Sequence, residues 1–224
     1  MSKPTVPELS PPGGWRVPTG ERLPPLAPER ATTTQRLLIG VIKKVGKLDA
    51  ANLWGLLSHN MRLMRGFLFF SSRMMPLGEL ERRDTELAIL RVGWNCRARY
   101  EWGQHVDIGM RAGLKAEEVA RIAEGPEAPG WLPHQAVLLR ACDEFHHDRM
   151  VSDSTWALLA ERYSERLLLE LLMLIGFYEG LAGVLNSTGL PLDNALEKIL
   201  ANAPIHSLAR PAVAATHWTK KDST

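Results

Sequence analysis

ELERRDTELAILRVGWNCRARYEWGQHVDIGMRAG, residues Glu79 to Gly113, decides how this chain is read. Its apolar residues recur at helical spacing in two consecutive segments. In the first, Glu79 to Cys96, Glu86, Leu90 and Gly93 share one face with Ile89 beside them. Asp84, Arg91 and Asn95 lie on another side, which suits water or a neighbouring subunit. The chain turns around Arg97 to Arg99. The second segment, Tyr100 to Ala112, carries the stripe Trp102, Val106, Gly109 and Met110. Ala98, Glu101, His105, Ile108 and Ala112 fall on the adjacent row, which puts Glu101 and His105 at the edge of the core, four residues apart on one face.

Working outward, the pattern stays helical. Residues 1–31 hold eight of the fifteen prolines and no apolar period, which predicts an extended or disordered arm, free to lie on another subunit. Thr32 to Thr34 offer caps for a helix carrying Leu37, Leu38, Val41, Ile42 and Val45. The stretch ANLWGLLSHNMRLMRGFLFFSSRMM is apolar nearly all round and predicts a buried helix, or two with a bend near Gly66. Beyond Gly113 come a short amphipathic helix to Glu124, the loop GPEAPGWLP, and a helix from Pro133. A capped helix then reaches Tyr163, and a long one runs from about Glu165 to Asn186 through the middle of the core. A short helix from Asn194 to Ala201 precedes a patternless tail. No strand-type alternation survives, so the expected class is all-α, with an arm at 1–31, a helical domain at 32–203 and a tail at 204–224.

Composition narrows the function. The chain is 45% hydrophobic with a net charge of +2, and no basic block is interleaved with aromatics, so nucleic acid is not expected as a partner. Cys96 and Cys142 form no CxxC, and two cysteines build neither a disulfide framework nor a cysteine-only zinc site. A reduced cytoplasm is the expected compartment, and the proline-broken N-terminus lacks the apolar core of a signal peptide. The apolar run Leu167 to Leu185 is interrupted by Glu170 and Glu179, which favours a core helix over a membrane span.

The candidate chemistry has bland alternatives. Glu101 at i and His105 at i+4 orient an imidazole for proton transfer, or are an ordinary helix-surface pair. Glu86 in its apolar row is a second proton-transfer group, or a carboxylate paired with Arg82, Arg83 or Arg91. Asp143 and His147 have metal-ligand spacing, but a polar helix end explains them better and no third ligand is patterned, so no metal is assigned. Cys96 is a nucleophile or a small apolar filler, with filler the default. No phosphate loop or dinucleotide fingerprint is present.

The pattern R-x-x-E-L-A-I-L-R-V-x-W-x-C-x-A-x-Y-E-W-x-x-H, Arg83 to His105, resembles the carboxymuconolactone decarboxylase family, which is related to the alkyl hydroperoxidase D proteins. Ala112 to Leu114, Glu124 to Trp131 and the long helix ending in LNSTGLPLD fit the same resemblance. It implies a helical ring-like homo-oligomer, commonly a trimer or hexamer, with a pocket between helices. In the peroxidase branch a CxxC precedes the histidine. Aligned on His105, those cysteines fall at Ala98 and Glu101, and the branch's upstream glutamate falls at Glu86. Both redox cysteines are absent, which disfavours disulfide-based peroxide reduction. The decarboxylase branch fits better and needs no cofactor. The resemblance implies His105 as acid/base, Glu101 orienting it, Glu86 as second relay, and Tyr100, Trp102 and Trp131 with Cys96 around a small carboxylated lactone or related unsaturated carbonyl compound. Isomerisation or dehydration on the same scaffold, a peroxidase-like use of Cys96, and a non-catalytic binding protein remain the alternatives.

Overall fold

The computed structural model describes residues 9–20, 22–46 and 50–202. Among them are ten α-helices and one 3-10 turn, Pro28–Arg30, with no strand, so the fold is all-α as the periodicity requires. The helices are α1 (Thr33–Gly46), α2 (Ala51–Leu57), α3 (Met61–Ser72), α4 (Arg82–Asn95), α5 (Arg99–Arg111), α6 (Ala116–Glu124), α7 (Pro133–Asp148), α8 (Asp153–Ala160), α9 (Glu165–Thr188) and α10 (Asn194–Asn202). The tail expected at 204–224 and residues 1–8 of the arm lie outside the described residues.

The centre of the bundle is α4, where the sequence suggests α9. Helix α4 packs against α5, α6, α7 and α9, and is buried from Asp84 to Leu90 and again from Val92 to Trp94. A helix enclosed on every side has no place for free charge. Its polar residues accordingly meet partners within the chain, where the helical pattern suits them to water or a neighbouring subunit. Asp84 accepts from the Tyr163 hydroxyl at 2.6 Å. Arg91 clamps Asp143 of α7 through Nε (2.6 Å) and Nη2 (2.8 Å), and donates from Nη1 to the Ile122 carbonyl at 2.7 Å. Asn95 adds a bond to the same carboxylate at 2.8 Å. Asp143 is therefore committed to Arg91, which removes it from any metal pair with His147.

Helices α2 and α3 break at Ser58–Asn60, ahead of Gly66. Asn60 ends the ambiguity, because its side chain caps α3 by accepting from the Leu63 amide at 3.1 Å. Nor is α3 buried all round: Met64 faces the interior, while Leu63, Phe69 and Phe70 are exposed. Helix α9 is the one described helix long and apolar enough to cross a membrane by length and composition. Its face from Leu168 through Leu171, Ile175 and Tyr178 to Leu185 belongs to the core, while Leu169, Met173 and Val184 are exposed.

The described part of the arm turns at Pro12–Gly13 and again at Pro28–Arg30, and it lies against its own chain. Trp15 packs with Trp94 and Trp102 at centroid separations of 5.7 and 6.0 Å. Arg97 donates to the carbonyls of Gly13 and Gly14, and the Arg16 amide returns a bond to the Arg97 carbonyl at 2.9 Å. These bonds hold Arg97 at φ 56°, a left-handed value that few non-glycine residues adopt. Further along, the Leu26 amide donates to Gly55 at 3.1 Å. A Cβ at Gly55 would come within 2.8 Å of the Pro25 side chain, so this crossing needs glycine.

The Arg91–Asp143 clamp joins the central helix to α7. Asp143→Ala leaves a largely buried guanidinium without its counter-charge and is expected to cost about 2–4 kcal/mol. Urea unfolding at pH 7 measures it; a loss below about 1 kcal/mol, the size of an exposed pair, would mean that apolar packing alone joins the two helices.

Candidate active site

Helices α4 and α5 pack side by side, with Gly93 of α4 facing Glu101 and Trp102 of α5. This packing brings His105 to Glu86. His105 Nδ1 lies 2.7 Å from Glu86 Oε2, and Glu86 has no exposed surface. Arg82, one turn earlier, places Nη2 2.9 Å from the other oxygen as an ion pair without hydrogen-bond alignment. A carboxylate accepting at Nδ1 fixes the proton there and turns Nε2 outward as the reactive nitrogen. No described side chain takes Nε2. The Tyr178 ring stands edge-on to the imidazole, 5.1 Å between centroids.

The pairing expected within α5 does not form. Glu101 is one turn before His105, yet both its carboxyl oxygens are buried without a hydrogen-bond partner. It lies in the first turn of α5, where the helix dipole favours a carboxylate by about 0.3–1 kcal/mol. Desolvation of an unpaired charge costs several kcal/mol and wins. Burial, with the negative charge of Glu179 adding to it, therefore holds the Glu101 carboxyl well above the usual carboxylate range. Glu86 orients the histidine, and Glu101 is a neutral acid beside it.

Glu101, His105, Tyr100 and Tyr178 line one cavity of about 100 Å³, walled by Leu53, Trp54, Phe67, Phe177 and Leu181. That is the scale of a small ring, since an apolar cavity of about 150 Å³ holds benzene. Among the described residues its lining contains no lysine or arginine. Tyr100 donates to Asp193 at 2.7 Å and is fixed as wall. The Tyr178 hydroxyl has only the Met75 sulfur at 3.4 Å, and burial, with Glu86 and Glu101 nearby, keeps it protonated. It is a second neutral donor that the sequence hid inside the apolar run of α9. The one available signal was that Tyr178 falls on the inner stripe of that run.

Three expected lining residues lie elsewhere. Trp102 is consumed by stacking with Trp94 and Trp15. Trp131 donates from Nε1 to Gly125 at 3.0 Å beneath the Arg121 guanidinium. Cys96 faces His146 and Glu179 outside the cavity lining, and burial, followed by the Glu179 charge, pushes its thiol up. Ala98, the other position where the peroxidase branch has cysteine, is buried just before α5.

Solved structures share this arrangement of helices. An uncharacterized peroxidase-related protein from Ralstonia eutropha JMP134, described as an alkylhydroperoxidase AhpD core, covers 81% of this chain and 93% of its own at 16% identity, with a TM-score of 0.64. The debrominase Bmp8, in complex with 2,3,4-tribromopyrrole, covers 81% of this chain and 97% of its own, also at 16% identity and TM-score 0.64. A peroxidase-related protein from Silicibacter sp. TM1040 covers 88% and 97% at 16% identity and TM-score 0.56. At these identities the likeness is one of fold alone, an all-helical fold shared with these proteins. No curated protein sequence matches. Residues 61–144, which hold Glu86, Glu101 and His105, match the model of the carboxymuconolactone decarboxylase family.

The buried neutral acid has a pH signature. A folded-state value above the unfolded one means that the folded chain holds a proton the unfolded chain releases, so stability falls as pH rises from the ordinary carboxylate value toward the raised one. Glu101→Gln removes this loss. The variant is expected to gain stability over the parent by up to about 1.4 kcal/mol per pH unit across that window. Urea midpoints from pH 4.5 to 8 read it; parallel curves would mean that Glu101 is ionised in the fold.

Proposed function

We propose that this protein is a cofactor-independent acid–base enzyme, a carboxy-lyase or isomerase acting on a small unsaturated carbonyl compound. One observation carries the reading: a histidine anchored by a buried carboxylate shares an apolar cavity with a carboxyl that has no partner of its own. The paired histidine moves a proton at Nε2. The unpaired Glu101 carboxyl, kept neutral, donates to an oxygen on which charge develops.

In the lyase form the bond between carbon and the substrate carboxylate breaks, and carbon dioxide leaves. The electron pair passes into the conjugated carbonyl, whose oxygen accepts from Glu101 and from the Tyr178 hydroxyl. Imidazolium Nε2 delivers its proton to carbon, and water later restores it. Glu86 stabilises the imidazolium and holds the ring, acting as a positioning residue. An apolar cavity raises the energy of a substrate carboxylate and favours its loss. The apolar character of the described lining, Leu53, Trp54, Phe67, Phe177 and Leu181, favours the second form equally: an uncharged carbonyl compound isomerised or dehydrated by the same groups. A peroxidase-like role for Cys96 has less support, because the thiol is held protonated outside the cavity lining. Relatives of this fold include peroxidase-related proteins and a debrominase bound to a small halogenated ring, and the latter agrees with the size of the cavity.

We further propose that a trimer or hexamer forms in the cytoplasm, with the exposed Leu169, Met173 and Val184 of α9 supplying contact area. Exposed apolar surface of this kind suits a second copy of the chain.

Carboxymuconolactone and uncharged unsaturated lactones supplied in D2O test the reading. Carbon dioxide release with deuterium on the product carbon is expected for the lyase, and deuterium incorporation without it for the isomerase. His105→Ala should lower kcat by about 10²–10⁴-fold. Glu86→Gln should lower kcat by about tenfold or more with KM little changed, as loss of a group acting through the ring requires. Full turnover in His105→Ala would overturn the assignment, and binding without turnover in the folded parent would make the protein a carrier.

A further inference from the structure

Outside the cavity lining, a second set of chemistry-bearing side chains converges. Cys96 follows the last residue of α4, His146 lies in the last turn of α7, and Glu179 lies within α9. Cys96 Sγ is 3.8 Å from His146 Nδ1, and that nitrogen is 2.6 Å from Glu179 Oε1. The three donor atoms all lie within 4.8 Å of one another. Arg149 is paired with the other Glu179 oxygen, Oε2, so Oε1 is the one that faces the thiol and the imidazole. All three side chains are half-buried, shielded but within reach of solvent.

A nucleophilic relay does not account for the cluster. A thiol–histidine–carboxylate relay uses both ring nitrogens, one toward the thiol and one toward the carboxylate. Here Nδ1 faces both. Convergence on a single point is instead the geometry of a coordination site. Donors held 2.0–2.3 Å from a tetrahedral ion stand roughly 3.3–3.8 Å apart. The thiol–imidazole distance already lies in that range. The imidazole–carboxylate pair is closer because a proton bridges it, and opens by less than about 1 Å when an ion takes the proton's place. Sulfur and imidazole donors select zinc-like ions over magnesium and calcium, which prefer oxygen.

We propose that Cys96, His146 and Glu179 bind a divalent transition-metal ion of the zinc class, with water completing the tetrahedron. Binding releases the thiol proton and requires the imidazole proton to pass by way of water from Nδ1 to Nε2, which frees Nδ1 for the ion, while the carboxylate enters already deprotonated. The histidine used is one residue before the one that sequence spacing singles out, because Asp143 is already taken by Arg91. The site stands apart from the acid–base reading of the cavity, and either can fail alone.

The full-length reduced protein titrated with cobalt(II) chloride tests the site. One ion per chain is expected, with a thiolate-to-cobalt charge-transfer band, the visible bands of a tetrahedral ion, and displacement by zinc but not by magnesium. Cys96→Ser should abolish the charge-transfer band. His146→Ala should weaken binding at least tenfold, with circular dichroism confirming that both variants fold. Cys142→Ala, which changes the chain's other thiol, should leave the spectrum intact. Absence of the band in the parent, or its survival in Cys96→Ser, overturns the proposal, as does parent-like affinity in His146→Ala.

Discussion

A carboxylate with no exposed surface lies in the central helix of this bundle, and the rest of the site follows from how its charge is met. An unpaired ion at Glu86 would cost several kcal/mol. His105 from α5 and Arg82 from its own helix stand against its two oxygens. The requirement fixes the rotation of α5 about its axis, since His105 must face α4. That rotation in turn places Glu101, one turn earlier, in the cavity with nothing left to pair with. One constraint thus yields two carboxyls of opposite character: a paired one that holds a charge, and an unpaired one that keeps its proton.

The helices were legible because the apolar period holds along most of the chain and Gly113 marks a plain stop. The break between α2 and α3 was not, because Asn60, which caps α3, stands within a run that is apolar nearly all round. Nor was the pairing inside the site. Residues four apart on a helix meet readily in water, so Glu101 with His105 is the natural reading of the sequence. In the interior, His105 Nδ1 meets one acceptor, and Glu86, nineteen residues upstream, needs it more. Spacing on one helix carries no information about a neighbour's rotation. Trp102 was misplaced for a related reason: its partner Trp15 comes from the arm, more than eighty residues away, and no local pattern announces that stack.

The arm acquires a structural role from that stack. Its eight prolines suit an extended path with little entropy to lose on ordering. Trp15 closes over Trp94 and Trp102, at the end of α4 and the start of α5, while Arg97 between them is tied to Gly13 and Gly14. The turn that sets the angle between α4 and α5 is therefore braced from outside the family-matched segment, 61–144. Ala98, Glu101 and Cys96 all sit within a few residues of that turn, so the brace bears on both the cavity and the thiol cluster.

The distribution of charge then separates two chemistries within one fold. A thiol that attacks peroxide must reach its thiolate, which calls for a nearby cation and access. Cys96 instead faces Glu179, whose negative charge and hydrogen bond oppose the thiolate. Cys142 is buried beside Asp143 and likewise held protonated. In the cavity burial, with negative charge adding to it, works in favour of proton chemistry, because it keeps Glu101 and Tyr178 neutral, as donors must be. Desolvation that would disable a cysteine here makes an acid of a glutamate. On the proposed reading, replacing a cysteine by Glu101 at that position converts a site suited to electron pairs on sulfur into one suited to protons on oxygen.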